Sequence, residues 1–191
     1  VIGNRSKLPT NLVMDARADQ AGKAPGMPGG PAMRYNVGIG ELAVSGNAPD
    51  MIVTHALGSC IAVCLWDPLA NVAGLLHYLL PDSKINVLRA QTQPATFADT
   101  GIPLLLQQAF AMGAQKSRMT IRLVGGAEVA GGGGSFNVGK RNLLAARNLL
   151  WRQGIMIKGE AVGGSVARTV HLDVGAGRIR VTSGSELLQE L

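Results

Sequence analysis

The chain has 191 residues, 47% of them hydrophobic and 16% charged, with a net charge of +6. That balance excludes an intrinsically disordered chain, and the length suits one domain with room for an appended tail. Aromatic residues make up only 4% of the chain, too few for the stacking platforms that hold single-stranded nucleic acid, so no nucleic-acid partner is expected. The apolar runs break before the roughly 18 residues that a membrane span needs, so no membrane insertion is expected. The opening residues, Val1-Ile2-Gly3-Asn4-Arg5-Ser6-Lys7, lack the apolar stretch of a secretory signal.

Residues 1–33 show no sustained hydrophobic period. Pro25, Pro28 and Pro31 lie among glycines, so 1–33 read as a flexible extension and Gly/Pro-rich linker ahead of a single domain over 34–191. Within the extension, 10–20 suit a short helix formed on contact with another surface. Residues 35–44 alternate loosely and predict a first strand, and Pro49-Asp50 turns the chain into a second that ends at Thr54. The apolar runs 61–66 and 72–80 flank Asp67-Pro68-Leu69-Ala70, whose proline presets the φ of a turn, and so predict an antiparallel hairpin. With those four residues as the loop, Trp66 faces Asn71 and Cys60 faces His77. Directly opposed residues have Cβ atoms roughly 4.5–5.5 Å apart.

After Pro81 a polar loop, 82–94, is a candidate wall of the substrate cleft, because loops beside a site shape entry to it. Thr96 and Asp99 have capping-box spacing. They head a helical face of Ile102, Leu105, Leu106, Ala109, Phe110 and Met112, with Gly113 as its stop. Residues 119–124 predict a strand and 125–139 are glycine-rich. A helix over 142–152 ends at Gly154. Strands follow over 155–162, 169–174 and 178–182, the last two joined through Gly175-Ala176-Gly177. Many short strands with two or three helices indicate α+β rather than a doubly wound parallel sheet.

The chain has two cysteines, Cys60 and Cys64. Four apart on one strand, they share a face but stand about two strand repeats apart, too far for a disulfide, which fits reduced thiols in a cytoplasmic protein. With no Cys-x-x-Cys pair, neither a metal nor another cofactor is expected. Cys64 reads as packing. Cys60 and His77 have a bland reading as a small buried hydrophobe and a structural histidine. Their predicted opposition supports another, a thiolate–imidazolium pair. Gly58 lets the backbone bend so that the N–H groups of Ser59 and Cys60 converge near the sulfur as a candidate oxyanion hole. A rival class comes from Gly134 to Gly139-Lys140, which match the opening of a P-loop, but Arg141 stands where a Ser or Thr should hold Mg²⁺.

Thr54, Leu57-Gly58-Ser59-Cys60 and His77 followed by Leu80-Pro81 resemble the chemoreceptor glutamine deamidase family, CheD. The likeness continues in Val124-Gly125-Gly126-Ala127, Gly139-Lys140-Arg141-Asn142 and Val162-Gly163-Gly164, in the same order, over roughly 35–185. The resemblance implies mixed β-sheets packed as a sandwich with two or three flanking helices, a fold shared with deamidases of the cytotoxic necrotizing factor type. It implies Cys60, His77 and Thr54 as the catalytic set. It implies hydrolysis of specific glutamines to glutamate on the cytoplasmic helices of methyl-accepting chemotaxis receptors, with the CheC phosphatase as a regulatory partner. Two other readings stand beside it: an inactive adaptor that binds receptors or the phosphatase, and a thiol hydrolase of other amides or esters.

Overall fold

The computed structural model describes residues 28–128 and 137–191. In chain order the elements are β1 (Arg34–Asn36), β2 (Glu41–Ser45), β3 (Met51–Leu57), β4 (Ile61–Asp67), β5 (Val72–Tyr78), α1 (Val87–Thr92), α2 (Ala98–Ala111), β6 (Thr120–Gly125), α3 (Val138–Arg152), β7 (Ile157–Val162), β8 (Arg168–Asp173), β9 (Ile179–Ser183) and β10 (Glu186–Glu190). The strands form two five-stranded sheets, β1-β3-β8-β9-β10 and β2-β5-β4-β6-β7. Each is mixed, because β1 runs parallel to β3 and β6 parallel to β7 while the other pairs are antiparallel. The α+β sandwich is the architecture expected.

The second sheet is buried on both faces. Leu42, Ile61, Val63, Leu76 and Tyr78 belong to a core that α2 and α3 cover with Ile102, Leu105 and Leu150. The opposite face carries smaller side chains, Ala43, Ala62, Cys64 and Ala73, which meet Ile52, Val170, Leu172 and Val181 of the first sheet. Burial of each large aliphatic side chain contributes about 1.5–3 kcal/mol, which is why two such layers hold together. Double burial also explains why β4 and β5 read as unbroken apolar runs rather than as alternating strands.

Several local expectations need correction. Residues 35–44 are not one strand. Gly40, at φ 76°, turns the chain between β1 and β2, which join different sheets. Thr96 does not cap α2. It lies in a 3₁₀ turn, the helix begins after Phe97 with no side-chain cap, and Asp99 instead accepts from the N–H and Oγ of Ser83 at 2.9 and 2.7 Å. The loop 82–94 contains a 3₁₀ turn (Ser83–Ile85) and α1, capped by Asn86 accepting from Arg89 N–H. Strand β10 was not predicted; its residues are all exposed, so burial imposed no alternating pattern on them. The extension 1–27, with the proposed helix over 10–20, lies outside the described residues, as do positions 134–136 of the P-loop match.

Candidate active site

Strand β3 ends in a bulge. Thr54 pairs with Val170 and Leu57 with Arg168, leaving an extra residue on β3, and Ala56 takes a left-handed φ of 57°. Bulges of this kind re-aim neighbouring side chains and gather at functional sites. The chain then turns through Gly58 and Ser59 into Cys60 at the start of β4.

The hairpin register differs from the one expected. Asp67 pairs with Val72, so the four-residue loop is 68–71, and His77 faces Ala62 rather than Cys60. Asp67 sets this register: its Oδ1 accepts from the N–H groups of Leu69 and Ala70, and Asn71 closes the turn at φ 51°. Buried beneath the turn, Asp67 also pairs with Arg118 at 2.9 Å. Because the slip is two residues, Cys60 stays on the same sheet face as His77. It becomes a diagonal neighbour, with Cβ atoms roughly 7 Å apart.

His77 points between the two sheets. Its Nδ1 lies 2.7 Å from Thr54 Oγ1, which lies 2.7 Å from the carbonyl oxygen of Val37. A carbonyl can only accept, so the threonine hydroxyl donates to Val37 and accepts from His77 Nδ1–H. That chain assigns the tautomer and leaves the Nε2 lone pair unprotonated, and Nε2 is buried without a hydrogen-bond partner among the described residues. The sandwich thus brings together a hydroxyl from one sheet and an imidazole and a thiol from the other.

The electrostatics differ from the sequence reading as well. Burial lowers the His77 imidazole to about 4, partly offset by the carboxylate of Glu41 directly across on β2. Burial raises the Cys60 thiol, partly offset by its own backbone N–H. The resting pair is therefore neutral thiol and neutral imidazole, not thiolate and imidazolium. Low dielectric penalises both charged forms, and no hydrogen bond joins them to offset the cost. Cys64 is wholly buried in the layer between the sheets, its thiol pushed up to about 12 by that burial.

The turn before Cys60 is held from behind. Ala127 N–H donates to Gly58 O at 2.8 Å, Asn142 Nδ2 to Ser59 O at 3.0 Å and Gly126 N–H to Cys60 O at 2.8 Å. The N–H groups of Ser59 and Cys60 donate to no carbonyl among the described residues. Gly125, at φ 116°, leaves no room for a side chain: a Cβ there would fall 2.2 Å from Cys60 O. A Cβ on Gly139 would meet Gly126 O at 2.6 Å. Asn142, fully buried on α3, also donates to Leu79 O at 2.8 Å. Along the sequence Asn142 stands only in the Gly139-Lys140-Arg141-Asn142 run and at the start of a helical span, and nothing marks Glu41 or Val37. For the first, the motif run was the available signal, since the burial of Asn142 on α3 is a fact of the tertiary structure. A strand pairing and a backbone carbonyl leave none for the others.

The family model described as CheD chemotactic sensory transduction matches residues 79–183. A probable chemoreceptor glutamine deamidase CheD 1 from Syntrophus aciditrophicus is 44% identical over 81% of this chain and 97% of its own. The chain belongs to the CheD family. A probable chemoreceptor glutamine deamidase CheD from Solibacter usitatus is 46% identical over 75% of this chain and 85% of its own. A CheD 2 protein of the same description from Anaeromyxobacter dehalogenans is 45% identical over 79% of this chain and 95% of its own. A solved Neisseria meningitidis protein aligns at a TM-score of 0.39 and 12% identity over 71% of this chain and 63% of that one, too weak a likeness to inform fold or site. In this CheD chain Gly125, Gly126 and the amide of Asn142 back onto the turn that presents Cys60, and Gly139 packs against Gly126. No helix among the described residues is long and apolar enough to cross a membrane.

Proposed function

We propose that this chain hydrolyses glutamine side chains to glutamate on the cytoplasmic helices of chemotaxis receptors, with Cys60 as nucleophile, His77 as proton carrier and Thr54 as the residue that orients the imidazole. The observation that carries this reading is the His77 ring, held by Thr54 with Nε2 free and buried, one diagonal step from the thiol.

In the proposed sequence Cys60 Sγ attacks the carboxamide carbon while His77 Nε2 takes the thiol proton, as a general base acting in step with attack. The distance closes as substrate fills the site, since catalytic hydrogen bonds tighten in the substrate complex. The carbonyl oxygen becomes an oxyanion facing the N–H groups of Ser59 and Cys60. His77 then returns its proton to the amide nitrogen, the C–N bond breaks, and ammonia leaves a thioester. Water, deprotonated by His77, attacks the thioester and releases glutamate and the thiol. The carboxylate of Glu41 favours the imidazolium that forms twice in this cycle. The loop 82–94 is the proposed cleft wall, and its exposed Ile85, Val87 and Leu88 offer apolar contact to a substrate helix. Such receptors place the enzyme in the cytoplasm, and a CheC-type phosphatase is the proposed regulator.

The test is incubation with a receptor cytoplasmic fragment, followed by peptide mass mapping and ammonia assay. Each hydrolysed glutamine gains about 1 Da, the amide-to-acid change of acyl hydrolysis. Receptor binding without mass change would support the adaptor reading, and turnover of small amides alone would support the broader hydrolase.

A further inference from the structure

Neither a hydrogen bond nor a cross-strand pair joins Cys60 to His77, so their alignment must be set by something else. Asn142 spans the gap. Its Nδ2 donates to Ser59 O, one residue before Cys60, and to Leu79 O, two residues after His77, at 3.0 and 2.8 Å. Both acceptors are carbonyls, so the amide cannot be flipped without setting Oδ1 against two oxygens.

The Ser59 bond has a chemical consequence. A trans peptide is planar, with its C=O and N–H pointing in opposite directions. The carbonyl of Ser59 and the N–H of Cys60 belong to one such plane. Holding the carbonyl toward α3 turns the Cys60 N–H the other way, toward the reacting centre. Ala127 N–H does the same for the Gly58–Ser59 peptide by holding Gly58 O at 2.8 Å. Gly125 and Gly139 let these partners approach, since a Cβ at either position would collide with backbone.

The amide is an expensive choice for packing alone. Asn142 is fully buried and its Oδ1 has no hydrogen-bond partner among the described residues. An unsatisfied buried acceptor costs stability, so a residue serving only the core would be better apolar. The helix already has another polar tie to this hairpin, Tyr78 OH donating to Asn142 O at 2.7 Å.

Building on the deamidase reading, we infer that Asn142 is a positioning residue that orients the Cys60 N–H as an oxyanion-hole donor and fixes the Cys60 turn against the strand of His77. It acts on the transition state and not on substrate binding.

The experiment compares two reagents on the purified full chain. Acylation of Cys60 by p-nitrophenyl acetate passes through a tetrahedral oxyanion, whereas alkylation by iodoacetamide displaces iodide without one. Asn142→Ala is expected to lower the ratio of acylation to alkylation about tenfold to a hundredfold, less than the about 10²–10³-fold cost of deleting an oxyanion donor outright. With receptor fragment as substrate, kcat falls by a similar factor while KM stays within about threefold, the pattern of an interaction made only in the transition state. Tyr78→Phe is the control. It removes a tie between the same helix and hairpin without touching Ser59, and is expected to lose stability while keeping both the ratio and kcat within about threefold. Asn142→Ser, which keeps one donor on a shorter arm, carries the same expectation if the alanine variant does not fold. An unchanged ratio in the folded variant, or an equal fall in Tyr78→Phe, overturns the inference. If the wild type leaves receptor glutamines unchanged, the deamidase reading fails, whereas the reagent ratio still decides the role of Asn142.

Discussion

Acidification should destabilise this protein through His77. The imidazole titrates at about 4 in the fold because of burial, with Glu41 only partly offsetting it. In the unfolded chain it titrates near about 6.5. Above that value both states hold it neutral. Between the two values the unfolded chain binds a proton that the folded chain refuses, so stability falls with pH. The loss approaches about 3 kcal/mol below the folded value, and is about 2 kcal/mol at pH near 5. With a urea m-value of about 2 kcal/mol/M, the unfolding midpoint moves down by about 1 M. The assay is urea unfolding of wild type and His77→Gln at pH 7.5 and pH 5. The variant lacks the titrating ring, so this part of the pH dependence should vanish from it. Asp67 does not interfere. Burial would raise it, but Arg118 and backbone N–H groups hold it down to about 2, well below this window, and it is present in both proteins. Equal pH dependence in the two proteins would refute the reasoning, and a wild type that loses less than the variant on acidification would point instead to an imidazolium held by a thiolate at rest.

Four further outcomes are expected. Cys60→Ala should abolish deamidation and keep the fold, whereas Cys64→Ala should retain activity and lose about 1–2 kcal/mol in urea unfolding, because Cys64 packs between the sheets. Thr54→Val should lower kcat and cost about 1–3 kcal/mol, since it strands the His77 Nδ1–H and the Val37 carbonyl together; a variant as active and stable as wild type would argue against the tautomer assigned. Gly125→Ala should cost at least about 1–3 kcal/mol, since it places a Cβ against Cys60 O at positive φ, and an unchanged midpoint would contradict this. A chain starting at residue 28 should fold, with its thermal midpoint near that of the full chain. One starting at residue 34 should be weaker, because Gly30 O, Pro31 O and Met33 N–H bind Asn47 and Asp50.

The Met33 contact shows how close the sequence boundary came. Residues 1–33 read as tail from composition, yet 30–33 bond to the turn before β3, and no local pattern records which carbonyls a buried Asn47 amide will find. The capping box failed for a similar reason. Thr96 and Asp99 have the right spacing, but Asp99 gains more from the two donors of Ser83, sixteen residues away. Tertiary bonds outbid local ones wherever a better donor is within reach.

The α+β class, most strands and both main helices were legible along the chain, and short motifs singled out Thr54, Cys60 and His77 as candidates. Turn chemistry, hydrophobic runs and short motifs are local, so they survive in the order of residues. The hairpin face was legible too, since β pairing has a period of two and a slip of two preserves it. The register itself was not, because Asp67 chose it through hydrogen bonds to the turn and to Arg118. The charge state of the pair was decided only in three dimensions. Sequence supplies a thiol and an imidazole, but their protonation depends on how completely two sheets exclude water around them. The same holds for Thr54 and Asn142. One reaches His77 from the opposite sheet and the other reaches the Cys60 turn from α3, and only the packing of those layers brings them within hydrogen-bonding distance.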